Sequence, residues 1–103
     1  MTFEYAGNEV NLQYLPGLIT EVTFAQLLAF GKLDKTNLIQ QFTDFNATLC
    51  HIVKSWDVYE DDDKTTVFPL EAKRIAELPF AFRIAVLNAI MRDIRPNDMI
   101  PTS

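Results

Sequence analysis

At 103 residues the chain suits one domain, which can bury about 65% of its unfolded surface. An apolar fraction of 49% with eight phenylalanines excludes disorder as the default, and no apolar run approaches the ~20 residues that span a bilayer. The net charge of -5, with nine basic residues scattered from Lys32 to Arg95, argues against nucleic acid, because phosphate binding needs clustered Lys and Arg.

Thr2-Phe3-Glu4-Tyr5 and Val10-Asn11-Leu12-Gln13-Tyr14 alternate with period two around Ala6-Gly7-Asn8-Glu9. Gly7-Asn8 accepts positive φ at low cost, so residues 1–15 are expected to form a short β-hairpin. A lone hairpin is marginal in water, so one face must pack on helices or on another subunit. Pro16-Gly17 then breaks the strand.

Thr20 or Thr23 can cap a helix over residues 20–31 carrying Phe24, Leu27, Leu28 and Phe30, with Gly31 as its stop. Val22-Thr23-Phe24 is also compatible with a strand. The clearest element spans residues 35–56, with Asp34 or Thr36 as its cap. Its apolar residues Leu38, Phe42, Phe45, Leu49, Ile52 and Trp56 recur at spacings of four, three, four, three and four, a heptad stripe down one helix face. An acidic turn follows (Glu60, Asp61, Asp62, Asp63), then an extended Val67 to Glu71.

Residues 70–78 suit a short helix with Glu71 in its first turn, where a negative charge meets the helix dipole favourably. Pro79 then opens a last helix over residues 79–95. That helix repeats the stripe at Phe80, Ile84, Leu87, Met91 and Ile94, and carries a second apolar face at Phe82, Val86 and Ile90. Arg95-Pro96 ends it, and residues 96–103 are expected to be a flexible tail. The expected fold class is mainly α: a small single-domain helical bundle over residues 1–103, with the N-terminal hairpin as its only β component.

Little in the chain suggests chemistry. Cys50 and His51 are neighbours, so on a helix they point about 100° apart and cannot act on one atom. The chain holds no second Cys or His to complete a metal site or an internal disulfide, and a single cysteine suits a reducing cytosol. The N-terminus lacks a basic segment followed by an apolar one, so no secretory signal is expected. The acidic turn has no glycine and no well-placed distal glutamate for a calcium loop, so a solvated turn is the plainer reading. No enzyme activity, cofactor or metal is expected. Trp56 is either a core anchor or a binding hot spot, and its place at the end of a stripe favours the core. The last helix is apolar over more than the ~100° arc that one packed face needs. Phe82, Val86, Ile90 and Ile94 are therefore the candidate partner-binding residues.

The order of these features resembles the tail assembly chaperones of long-tailed, siphovirus-type bacteriophages. The likeness runs from about Thr2 to Arg95: a strand pair, a helix, a long helix ending near Trp56-Asp57, an acidic loop to Asp63, and a proline-containing extended piece. The Leu78-Pro79 step into a final amphipathic helix completes it. The turn Asp62-Asp63-Lys64-Thr65-Thr66 departs from the tight Asp-Gly type of that pattern. The resemblance implies a protein that binds and solubilises the tape measure protein and helps tail-tube subunits assemble around it. It implies action in the host cytoplasm, absence from the mature virion, and in many relatives a longer frameshifted product. Homo-oligomers are compatible with it; a membrane or nucleic-acid partner is not expected. A structural head–tail connector or small oligomeric interaction protein, and an acidic host-directed regulator, are the alternatives.

Overall fold

The structure, a computed structural model, describes residues 1–94. The expected tail at 96–103 lies outside the described residues.

Strands β1 (Thr2–Tyr5) and β2 (Asn8–Tyr14) form the hairpin, antiparallel with Phe3 opposite Val10 and Tyr5 opposite Asn8. Phe3, Val10 and Leu12 point inward and are buried, while Thr2, Glu4, Glu9, Asn11 and Gln13 face water, the alternation a half-buried sheet requires. The two turn residues are Ala6 and Gly7, at φ 52° and 82°, and Asn8 already belongs to β2. Positive φ at both central positions matches the right-handed strand twist. Ala6 accepts a conformation that costs a residue with a Cβ roughly 1–2 kcal/mol.

After a single 3-10 turn at Pro16–Leu18, helix α1 (Glu21–Phe30) starts at Thr20. Thr20 and Thr23 cap one another: each hydroxyl accepts the other's backbone N–H. Gly31 ends the helix in the right-handed region at φ -77°, so the left-handed stop suggested by the sequence is not used. Helix α2 (Leu38–Ile52) follows a turn organised by Asp34. The Asp34 carboxylate accepts the Thr36 backbone N–H and hydroxyl, both at 3.0 Å, and Asn37 takes the N-cap position, its side-chain amide donating to Asp34 rather than capping the helix.

The expected helical bundle is wrong, and the error lies at one junction. Helix α2 ends at Ile52, and residues expected to be its last turn form strand β3 (Val53–Trp56). Val53 turns to ψ 124°, and β3 pairs antiparallel with β2, Leu12 opposite Trp56 and Tyr14 opposite Val53, with an irregularity at Gln13/Tyr14. The described residues thus form an α+β domain: four helices with a three-stranded antiparallel sheet in the order β1-β2-β3. The physical reason is the free edge of β2. A helix continued to residue 56 would leave that row of N–H and C=O groups unpaired, whereas β3 satisfies it. The Leu15 N–H donates to the Ile52 carbonyl at 2.8 Å, fixing where the helix stops.

Beyond β3 the chain returns on itself despite its unusual turn. Tyr59 pairs with Val67, and the Phe68 N–H donates to the Val58 carbonyl at 2.7 Å. Lys64 takes the left-handed φ of 57° that a glycine would favour, and Asp61 braces the turn: its carboxylate accepts from the Thr65 hydroxyl and from the backbone N–H groups of Thr65 and Thr66. The expected helix at 70–78 shrinks to one turn, α3 (Ala72–Ile75), and Glu71 precedes it. Helix α4 (Phe80–Asp93) follows Pro79.

The core joins sheet and helices. Phe30 stacks on Phe45 at 3.8 Å and 16°, and Leu12, Leu27, Leu49, Ile52, Ile75, Val86 and Ile90 are fully enclosed. Helix α1 packs on α2, α2 on α3 and β3, and α4 on β1.

Candidate interaction surface

Helix α4 carries two apolar faces, and its seating on the sheet decides which is free. Phe82 lies 6.2 Å from Phe3, 5.1 Å edge-on from Tyr5 and 6.2 Å from Trp56, and is buried. Val86 and Ile90, one and two turns on, are wholly enclosed. The face Phe82–Val86–Ile90, read from sequence as the partner surface, is the one that seats α4 on the sheet. Ile94 is half-buried, at the C-cap, where its N–H donates to the Ile90 carbonyl. The reason for the inversion is β3: a three-stranded sheet presents a broader apolar floor than a hairpin, and Phe82 fills it.

The opposite stripe is the open one. Phe80 remains 43% exposed although its ring centroid lies 5.4 Å from Phe30 and 6.2 Å from Phe42. Ile84 and Met91, at the next turns of the same stripe, are half-buried, as is Phe42 on α2; only Leu87 is covered. Val22, Leu28 and Ile39 are also exposed, on α1 and at the start of α2.

Arg83 borders this face, and sequence reading overlooked it. Its guanidinium lies over the rings of Phe30 and Phe42, at 5.6 and 5.4 Å, and its Nη1 donates to Asn46 Oδ1 at 3.1 Å. The residue is buried, and its Nε has no acceptor. Burial pushes its pKa below the usual arginine value. Among the described residues the ion pairs are Arg74 with Glu60 and with Glu77; Arg83 has none. An uncompensated buried charge costs several kcal/mol, of which cation–π contacts return about 2. A signal was present in the sequence: Arg83 is the only charge between Glu77 and Arg92.

The remaining candidates are structural in placement. Trp56 is buried, its Nε1 donating to the Phe68 carbonyl. The acidic residues are spread over separate tasks. Asp57 accepts from the backbone and side chain of Asn11, Glu60 pairs with Arg74, and Asp61 holds its own turn. Among the described residues no group of three or more His, Cys, Asp or Glu is placed to hold a metal ion. Cys50 is half-buried, and burial, then the charge of Glu71, raises its thiol pKa; His51 is exposed on α2. Among the described residues no helix is long and apolar enough to cross a membrane.

No protein-family model matches the chain, and neither a curated protein nor a solved structure matches it.

Proposed function

We propose that this chain is a phage tail assembly chaperone, binding the tape measure protein through the open stripe of α4 and keeping it soluble while the tail tube is built around it. The observation that carries the reading is Phe80, a large aromatic fixed by neighbouring rings yet 43% exposed. Half-buried Ile84 and Met91 continue it along one helix face. A stripe at helical spacing beside a second helix is the shape that receives an amphipathic helix, and a long helical partner offers many such segments. The resemblance in sequence order, from about Thr2 to Arg95, supports the same reading.

On this reading the protein acts in the host cytoplasm and leaves before the virion matures. Affinity capture from infected cells, followed by mass spectrometry of the bound proteins and of purified virions, tests it. The tape measure protein should be retained with the chain, and virions should lack the chain. Stoichiometric presence in virions would favour a connector subunit.

A further inference from the structure

We infer that the open stripe of α4 is selective for an amphipathic helix that carries a carboxylate among its apolar residues, with Arg83 as the group that recognises it; the inference rests on the chaperone reading and deepens it. Three observations converge on one spot. Phe80 and Phe42 give an aromatic platform whose rings are 6.2 Å apart and only partly covered. Arg83, one turn after Phe80 on the same helix, is 92% buried (8% exposed) and lies against Phe42 and Phe30, and among the described residues its guanidinium has Asn46 as its one hydrogen-bond partner. The first turn of α4 holds no acidic residue and has no side-chain cap, so its positive dipole end is also uncompensated.

The missing element is a negative charge, and no described residue supplies it. Fourteen acidic residues against nine basic ones give a net charge of -5, yet among the described residues no carboxylate pairs with this buried cation. An apolar helix laid across Phe80 would remove the last water from the site and lower its effective dielectric. A carboxylate within about 6 Å would then be drawn to the guanidinium even without touching it. A helix without a carboxylate would seal a lone charge under apolar surface, which is unfavourable. The site therefore discriminates as well as binds, and its preference is for an acidic position inside an apolar face. A second copy of this chain would also bring its own arginine to the interface, adding like charge, which favours a different protein as occupant.

Overlapping peptides of the tape measure protein encoded by the same phage are titrated against the full chain by fluorescence anisotropy. Wild-type protein should select peptides with Glu or Asp flanked by apolar residues at helical spacing. Changing that acid to Gln or Asn should weaken binding about tenfold or more, the usual weight of a charged contact. Arg83→Met should show the weakened affinity for the acidic peptide and no further loss with its amide version, while Arg83→Lys retains part of the preference. Should Arg83→Met fail to fold, the acid-to-amide comparison on wild-type protein decides alone. Binding of acid and amide peptides with equal affinity would overturn the inference while leaving the chaperone reading in place. Failure of every peptide to bind would sink the chaperone reading itself. Peptide-independent dimers that Phe80→Ser converts to monomers would show that a second copy occupies the face, against the inference.

Discussion

The indole Nε1 of Trp56 donates to the backbone carbonyl of Phe68 across 2.8 Å, with the two rings 6.4 Å apart at 63°. Trp56 closes β3 and Phe68 closes the returning loop, so this pair joins the sheet to the segment that leads into α3. Phe82 of α4 packs on the same indole at 6.2 Å. Trp56→Ala should therefore destabilise the fold by roughly 3–5 kcal/mol, the usual cost of deleting a buried large aromatic. Trp56→Phe keeps a ring but leaves the Phe68 carbonyl without its donor, for a cost of about 1–3 kcal/mol. Urea unfolding of the two variants measures both, and their order should be Ala well below Phe.

Val86 and Ile90 are fully enclosed between α4 and the rest of the core. Replacing both with Ser removes buried apolar volume and inserts two hydroxyls, each substitution costing on the order of 2–4 kcal/mol. Against a total stability of about 5–15 kcal/mol, the double variant should be largely unfolded. Loss of the cooperative thermal transition in circular dichroism is the expected outcome, and a native-like transition would show that α4 is not seated on this face.

Asp34 and Asp61 each hold a turn by accepting hydrogen bonds from threonines. The Asp34 carboxyl is lowered below 3.8 chiefly by the Thr36 backbone N–H, then its hydroxyl. The Asp61 carboxyl is lowered chiefly by the Thr65 hydroxyl, then by the Thr66 backbone N–H. Folded-state values below the unfolded one mean that the contribution is present above about pH 3.8 and is lost as pH falls through the folded values. Asp34→Asn combined with Asp61→Asn should lower the thermal midpoint at neutral pH and flatten its fall in the window below about pH 3.8. A double variant with the wild-type slope in that window would show that neither carboxylate is linked to folding.

How much of this was legible in the sequence varies by element. The hairpin was, because period-two alternation with polar outer residues has one structural solution when only one face is buried. Helices α1, α2 and α4 were, to within a few residues, because their apolar residues recur at helical spacing. Strand β3 was not: Trp56 lies four residues after Ile52, which continues the α2 stripe without interruption. What ends the helix is a distant pairing with Leu12 and Tyr14, invisible to a local pattern. The same omission misplaced the interaction face. With only a hairpin to cover, either face of α4 could have been free. With a third strand, Phe82 is committed to the floor formed by Phe3, Tyr5 and Trp56. Arg83 was masked by its type, since arginine on a helix is ordinarily solvated, and its burial follows from Phe30 and Phe42 on other elements.

The most direct test of the account is co-expression of this chain with the tape measure protein, scored by the fraction of that protein left soluble after centrifugation. Wild-type chain should keep most of it soluble. Phe80→Ser, which removes an exposed ring at the first position of α4, should leave the chain folded but cut the soluble fraction severalfold. Val22→Ser, at a 67% exposed position on α1, should match wild type. If Phe80→Ser protects the tape measure protein as well as wild type does, the open stripe of α4 is not the binding face.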